Sequence, residues 1–365
     1  MKNKLTFIDG SMLITESLVA SGADIFVGYP ITPSNRFYTY GQRRFPLFLP
    51  APDEISVLQW MAGASMAGKI PVTATAFPGL ALMVESINMA HTMELPMVIV
   101  VTQRLGPSTG SATIGAQGDL SLISGIVPGY PIPTFCPANF NDCWSLANKA
   151  VETAIDLRTP VFLLTSKEMV MTSRSFDLSS LDEIVKLKRT EHGHDDFRPY
   201  DITDTGIAPL PSLKSNFNQV RINSSMHNKA GRIVKNEESL NVTRSLRKKI
   251  LAKEKYLSDF EYLINDKSEL LIVSYGISAL AARDAYNELL EKGKSVSLLI
   301  IKTLIPVSDE IIKIIDEYND VLIVEENING QLKELLYGYV GKNGIRSVNK
   351  LGSMITPSEI TQKVL

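Results

Sequence analysis

Two cysteines, Cys136 and Cys143, are all that this 365-residue chain contains. Their spacing fits neither a zinc site nor a CxxC redox pair, so reduced thiols in a reducing compartment are expected. No apolar run reaches the length of a membrane span. The basic start, MKNKLTFIDGSML, lacks an extended apolar stretch and a small-residue cleavage site, so the expected location is the cytoplasm. Excess charge of one sign is also missing: 37 Lys and Arg stand against 39 Asp and Glu, a net charge of −2. Nothing in that balance asks for nucleic acid or an anionic membrane surface, so any partner is recognised locally. Finally, no G-x-G-x-x-G follows a strand and no G-x-x-x-x-G-K-[ST] occurs, which removes the usual phosphate cradles of dinucleotide and P-loop proteins.

What is present is a chain that is 44% hydrophobic and long enough for two or three domains with cores of their own. Through about residue 170, helical periodicity alternates with short apolar runs. SMLITESLVASG reads as a helix ending near Gly22, DIFVG as a strand, DEISVLQWMAGASMAG as a helix, PVTATA as a strand, LALMVESINMAHTM as a helix and PMVIVVTQ as a strand. A helix around WSLANKAVETAIDL and a strand PVFLLTS close the unit. Such alternation predicts a parallel sheet covered by helices on both faces. From about 175 to 265 the texture turns polar and rich in Pro, Gly and Asn, a linker or excursion that ends in a basic helix, SLRKKILAKEKYLSDFEYLI. A second βαβαβ rhythm follows in LLIVSYG, SALAARDAYNELLEKG, VSLLIIKTL, SDEIIKIIDEYN and VLIVEEN.

In open parallel sheets ligands sit beyond the carboxyl ends of strands, and the unusual residues fall there. DIFVG runs into GYPITPSN, where Pro30 and Pro33 restrict their neighbours. Either the turn presents the Thr32 hydroxyl with little freedom, or the prolines only redirect the chain and Ser34 caps the next helix. Glu54 opens the following helix. It is either functional or one more first-turn carboxylate favoured by the helix dipole. Gly63 and Gly68 on that helix suggest close approach of another backbone. PMVIVVTQ delivers Arg104, suited to fork onto a carboxylate unless it serves a plain ion pair. The GPSTG that follows has the letters of a G-x-S-x-G elbow, but Ser108 is succeeded by a small-residue loop with no helix signal, so the hydrolase reading is rejected. His192, His194, Asp195 and Asp196 have the composition of metal ligands without the spacing, and solvated loop is the expectation. The basic stretch from Arg247 to Lys255 is expected to be a solvated helix face.

Taken in order, GYPITPS, a DEI helix ending GASMAG, TATAFPGLALM and VTQRLGPSTG with QGDL resemble the α subunit of 2-oxoacid:ferredoxin (acceptor) oxidoreductases, most of all those of the 2-oxoglutarate type. VSYG, KTLIPVS and VEENINGQL resemble that subunit's transketolase C-terminal-like domain. The resemblance implies an α/β fold with a pyrimidine-side thiamine diphosphate-binding domain over 1–175, a linker over 176–265 and the transketolase C-terminal-like domain over 266–365. It also implies oxidative decarboxylation of a 2-oxoacid to an acyl-coenzyme A, with electrons passed to ferredoxin. Glu54 matches the glutamate that hydrogen-bonds the aminopyrimidine ring of the cofactor. Thr32 and Arg104 match residues facing the substrate, and Tyr29, Pro30, Ile31, Pro78 and Gly79 match the cofactor-binding turns.

The family's GDG…Asn signature of the Mg2+-diphosphate site is missing, the nearest string being Gly118-Asp119-Leu120, and two cysteines cannot ligate a four-cysteine iron–sulfur cluster. The resemblance therefore implies a separate β subunit carrying the Mg2+ and the cluster, and a separate γ chain linked to coenzyme A. Departures from the family pattern cluster near the pocket. TAFPG stands where TSGPG is common, placing Ala76 and Phe77 in that turn; Arg36 lies near a commonly acidic position; and GAQGDL lacks the usual glutamate before Gln117. The alternatives are a non-oxidative thiamine diphosphate decarboxylase or synthase subunit, and a non-catalytic scaffolding subunit.

Overall fold

Strand β1 (Leu5–Ile8) leads into α1 (Gly10–Ser21), which Asp9 opens by accepting the Met12 amide at 3.0 Å and Gly22 closes in the left-handed conformation at φ 108°. A short acceptor at the start and glycine at the end are what the orphan amides and carbonyls of a helix favour. The computed structural model describes residues 5–187, 189, 198–201, 207 and 221–365. His192, His194, Asp195 and Asp196 lie outside the described residues. After α1, strands and helices alternate through β2 (Ile25–Gly28), α2 (Asn35–Arg44), β3 (Leu47–Pro50), α3 (Glu54–Met66), β4 (Pro71–Thr75), α4 (Phe77–Thr92) and β5 (Met97–Gln103). They continue with α5 (Leu120–Gly125), β6 (Thr134–Phe135), α6 (Phe140–Leu157), β7 (Pro160–Ser166), α7 (Lys167–Met171) and β8 (Arg174–Asp177). The later chain forms α8 (Glu237–Leu251), α9 (Glu254–Leu257), β9 (Phe260–Leu263), β10 (Leu270–Tyr275), α10 (Ser278–Glu291), β11 (Ser297–Ile301) and β12 (Thr303–Ile305). It ends with α11 (Asp309–Asp316), β13 (Asp320–Glu325), α12 (Gln331–Tyr337), β14 (Ile345–Asn349) and α13 (Pro357–Val364).

Two large sheets result. One has seven strands in the order β12-β6-β7-β5-β4-β2-β3, parallel except for β12 at its edge; the other has five in the order β14-β13-β10-β11-β9, parallel except for β9. Every residue of β2, β4, β5 and β7 is buried, which explains their unbroken apolar character. One apolar cluster runs from Val57, Leu80 and Val101 through Leu120 and Ile132 to Val273 and Leu304, so the two sheets share a core.

Several sequence expectations are corrected. VSLLIIKTL is two strands rather than one. Lys302 interrupts it, its ammonium bound to Asp142 at 2.7 Å and its carbonyl accepting the Cys136 amide at 2.7 Å. β11 thus stays in the five-stranded sheet while β12 joins β6 in the other. The basic segment is not one helix either: α8 and α9 are separate, and FEYL pairs with β11 because its alternating Phe260 and Tyr262 pack on the core. Nor is its basic stretch wholly solvated. Lys249 is buried and its Nζ lies 2.7 Å from Glu94. Gly63 has open space where a Cβ would be, so no backbone among the described residues of other elements approaches it.

Candidate functional site

The seven-stranded sheet reverses its direction of growth at β2: the chain goes outward to β3 on one side and then to β4, β5 and β7 on the other. A crevice opens at such a switch point, outside the carboxyl ends of the strands. Here the pairing between β2 and β4 covers Ile25↔Pro71 and Phe26↔Val72, while β2 follows β3 as far as Gly28↔Pro50. The far end of β4 is thereby released. Ser34 takes over, donating its hydroxyl to the Thr75 carbonyl at 2.8 Å and meeting the Thr102 hydroxyl at 3.0 Å. Ser34 precedes α2 but makes no side-chain cap, so the capping reading gives way to a cross-link between the ends of three strands.

Glu54 is the first residue of α3, and the Asp53 carboxylate before it caps the helix by accepting the Ser56 amide at 2.7 Å. Relieved of capping, Glu54 is 7% exposed and its carboxylate takes no hydrogen bond or ion pair among the described residues. Gly79, in the first turn of α4, lies against it. A Cβ there would come within 2.2 Å of Thr75 Oγ1 and 2.8 Å of Glu54 Oε1, so only glycine lets the helix start so close to the carboxylate. Pro78 occupies the first turn of α4, where its missing amide costs no helical hydrogen bond. A carboxylate without a protein partner is free to bond a ligand. A carboxyl free to bond is the chemistry that an aminopyrimidine nitrogen requires, so Glu54, with Pro78 and Gly79 packed beside it, fits thiamine diphosphate.

Arg104 follows β5 and is 5% exposed. Its Nη1 donates to the Thr32 carbonyl, which ties the PITPS turn to the end of β5. The Thr32 hydroxyl accepts from Asn35 Nδ2 at 2.8 Å and keeps its own proton available to donate. Thr32 and Arg104 are thus brought together, and Gly79 and Glu54 are brought together, on loops joined through Ser34 and Thr75. Tyr29 and Pro30 are exposed and Ile31 is half-buried at the rim. Arg36 turns instead to Asp9, at 2.7 Å. Ser108 is exposed in the loop after β5, and helix resumes only at Leu120.

Two residues of this region, noted in the sequence only within the QGDL string, have contacts that the string did not announce. Gln117 is fully buried and acts as a rivet into the second sheet: Nε2 donates to Tyr275 O at 2.9 Å, while Oε1 accepts from Ser278 Oγ at 2.9 Å and from the Glu326 amide at 2.8 Å. Asp119, two residues on, is 3% exposed, and burial raises its acid to about 7 against the opposing pull of Arg104. The available signal was an acidic residue between glycine and an apolar helix, directly after a strand-end loop.

Residues 16–243 match the family model described as pyruvate flavodoxin/ferredoxin oxidoreductase, thiamine diP-bdg. The chain is 28% identical over 376 residues to a 2-oxoglutarate synthase subunit KorA from Archaeoglobus fulgidus, covering 99% of each. It is also 28% identical to a ketoisovalerate oxidoreductase subunit VorB from Methanothermobacter thermautotrophicus, covering 98% of this chain and 96% of the other. In fold it resembles a 2-oxoglutarate:ferredoxin oxidoreductase from Magnetococcus marinus, solved with 2-oxoglutarate, coenzyme A and succinyl-CoA bound, with a TM-score of 0.92 at 23% identity. That likeness covers 99% of this chain, which spans 65% of the solved one.

Proposed function

Because the chain belongs to the pyruvate flavodoxin/ferredoxin oxidoreductase family, we propose that it is the α subunit of a 2-oxoacid:ferredoxin oxidoreductase, acting on 2-oxoglutarate. The reaction releases CO2, transfers the acyl group to coenzyme A and passes electrons to ferredoxin. The observation that carries this reading is Glu54, a largely buried residue whose carboxylate has no partner among the described residues, packed against the first turn of α4 at a position that only glycine allows.

Thiamine diphosphate supplies the electron sink for decarboxylation when bound. Glu54 would hold the hydrogen bond to its pyrimidine side, and Pro78 and Gly79 would wall that side with Tyr29, Pro30 and Ile31. Thr32 donates its hydroxyl to the substrate's keto oxygen, and Arg104 binds the substrate carboxylate. Ser34 fixes the spacing of these groups by its bond to Thr75.

Both cysteines are buried, and no group of metal-binding side chains occurs among the described residues. The reading assigns the Mg2+-diphosphate site and the iron–sulfur cluster to a β subunit, and coenzyme A to a γ unit. Ile55 and Trp60 on α3 and Leu82 on α4 are exposed apolar side chains beside the site, suited to be covered by β.

The isolated chain should bind thiamine diphosphate weakly by calorimetry and reduce neither ferredoxin nor viologen dye. Adding β should restore both, with 2-oxoglutarate preferred over ketoisovalerate and pyruvate. Turnover by the isolated chain would overturn the shared site. Aldehyde release without dye reduction would favour the non-oxidative reading.

A further inference from the structure

Thr32 is held by two neighbours in two different ways. Arg104 Nη1 donates to its carbonyl, and Asn35 Nδ2 donates to its hydroxyl at 2.8 Å. Asn35 is the first residue of α2, it is exposed, and its side-chain amide makes no other hydrogen bond among the described residues. Asparagine is favoured at a helix start because its oxygen can accept a free amide of the first turn. Here the side chain reaches back across Pro33 instead, and the Phe37 amide goes to the Ser34 carbonyl at 3.0 Å. Capping therefore does not account for it. Nor does the shape of the turn, since buried Ser34 already fixes that through the Thr75 carbonyl at 2.8 Å and the Thr102 hydroxyl at 3.0 Å. What Asn35 does settle is a direction. An NH2 group can only donate, and a hydroxyl has one proton, so with Nδ2 on its oxygen Thr32 must send that proton elsewhere. No group among the described residues accepts it.

Resting on the 2-oxoacid site proposed above, we infer that Asn35 is a positioning residue, which fixes the Thr32 hydroxyl as a donor toward the substrate's keto oxygen. That oxygen gains negative charge when the carbonyl carbon is attacked, and a donor aimed at it beforehand stabilises the charge without reorganising. A hydroxyl left to rotate would at times face the same oxygen with a lone pair, which repels it. Asn35 removes that alternative by occupying a lone pair of Thr32 itself. The nearby cations do not exert this control. Arg104 meets Thr32 at the carbonyl, and Arg36 turns to Asp9 at 2.7 Å, so neither directs the hydroxyl.

The test uses the assembled α–β complex with thiamine diphosphate and Mg2+. It reads kcat and KM for 2-oxoglutarate beside calorimetric binding of oxalylglycine, a dicarboxylate that does not decarboxylate. Asn35→Asp keeps the shape, suits the start of a helix and can only accept, so it draws the Thr32 proton away from the substrate. It should lower kcat about 10²–10³-fold, the effect of losing one donor to a developing oxyanion. Asn35→Ala frees the hydroxyl to rotate and should lower kcat about five- to tenfold. Oxalylglycine affinity should fall in the same order. In a Thr32→Val background neither substitution should lower kcat or affinity further, because the hydroxyl through which they act is gone. Wild-type turnover in Asn35→Asp overturns the inference, since Thr32 would then already be donating to this residue. A loss in Asn35→Ala as large as that in Asn35→Asp also overturns it, by marking a role in shape, as does a loss that persists beside Thr32→Val, by marking plain charge repulsion. Should Asn35→Asp fail to assemble, an unchanged kcat in Asn35→Ala overturns it alone. Thr32→Val with wild-type kcat and affinity is the separate outcome in which the substrate site itself is misassigned, and the inference falls with it.

Discussion

At the N-terminal end of the seven-stranded sheet, Glu94 and Lys249 are buried and matched to each other at 2.7 Å, and Lys249 also donates to the Arg158 carbonyl at 2.9 Å. Arg158 donates in turn to the Pro199 carbonyl at 2.9 Å, and the rings of Tyr200 and His227 lie 3.9 Å apart beside it. At the opposite end, Glu54 and Asp119 are buried almost as deeply, yet neither carboxylate has an ion-pair partner among the described residues. Orphaned atoms do not separate the two ends, since His91 and His227 at the first also keep an orphaned ring nitrogen. Burial alone therefore does not distinguish the two ends. Matching of the carboxylates does. Burial would raise the Glu94 acid, but Lys249 and Arg158 outweigh it and hold Glu94 below the ordinary glutamate value, whereas burial prevails at Asp119 because Arg104 only partly opposes it. One end uses its charges to fasten α8 and the chain around Tyr200 to the sheet; the other leaves its acids without an ion-pair partner among the described residues.

The sharpest way to break this contrast is to neutralise one acid at each end. Glu54→Gln keeps the shape and removes the charge, so cofactor activation, read as hydrogen–deuterium exchange at the thiazolium carbon, should fall about 10²–10⁴-fold in the assembled enzyme. Stability should stay within about 0.5 kcal/mol, because no internal partner loses its bond. Exchange at the wild-type rate would remove Glu54 from the chemistry. Lys249→Met should do the reverse: it strands Glu94, costing about 3–5 kcal/mol in denaturant unfolding while leaving turnover per folded molecule unchanged. A cost below about 1 kcal/mol would mean that the Glu94–Lys249 pair is not the fastening it is taken for.

A smaller effect sharpens the same comparison through pH. His91, 3.4 Å from the Thr159 hydroxyl, has its proton affinity lowered to about 3, first by burial and then by Lys249, with Glu94 opposing. Its folded value lies below the unfolded one of about 6.5, so the unfolded chain binds more protons in acid. Stability is then full above about pH 6.5 and should decline by about 1.4 kcal/mol per pH unit as pH falls toward 3. His227, also lowered by burial, adds to the decline. Unfolding between about pH 6.5 and 5 should be less pH-sensitive in His91→Gln than in the wild type. Equal slopes would show that His91 takes up a proton without cost to the fold.

Much of the fold could be read from local pattern. The apolar run at Met97–Gln103 and the Gly22 end of α1 announce themselves because strand burial and helix capping depend on neighbours in sequence. Glu54, Thr32 and Arg104 were legible for the same reason, each sitting where a strand ends or a helix begins. Lys249 was not: within SLRKKIL it looks like any solvated lysine, and only the placement of α8 over the end of α4 gives it Glu94. Ser34 looked like a cap until the early parting of β2 from β4 gave it the Thr75 carbonyl.

The sequence by itself determined the alternation of strands and helices, the turns at their ends and the residue types available for chemistry, because periodicity, capping and backbone freedom act over a few residues. The tertiary structure alone decided which buried charges are matched and which remain open. Gly79 facing Glu54, Asp119 returned to Gln103 beside the Gln117 rivet, and Lys249 enclosed with Glu94 are contacts between distant segments. The energy of a buried polar group depends on what the fold brings beside it, and no local pattern records that neighbour.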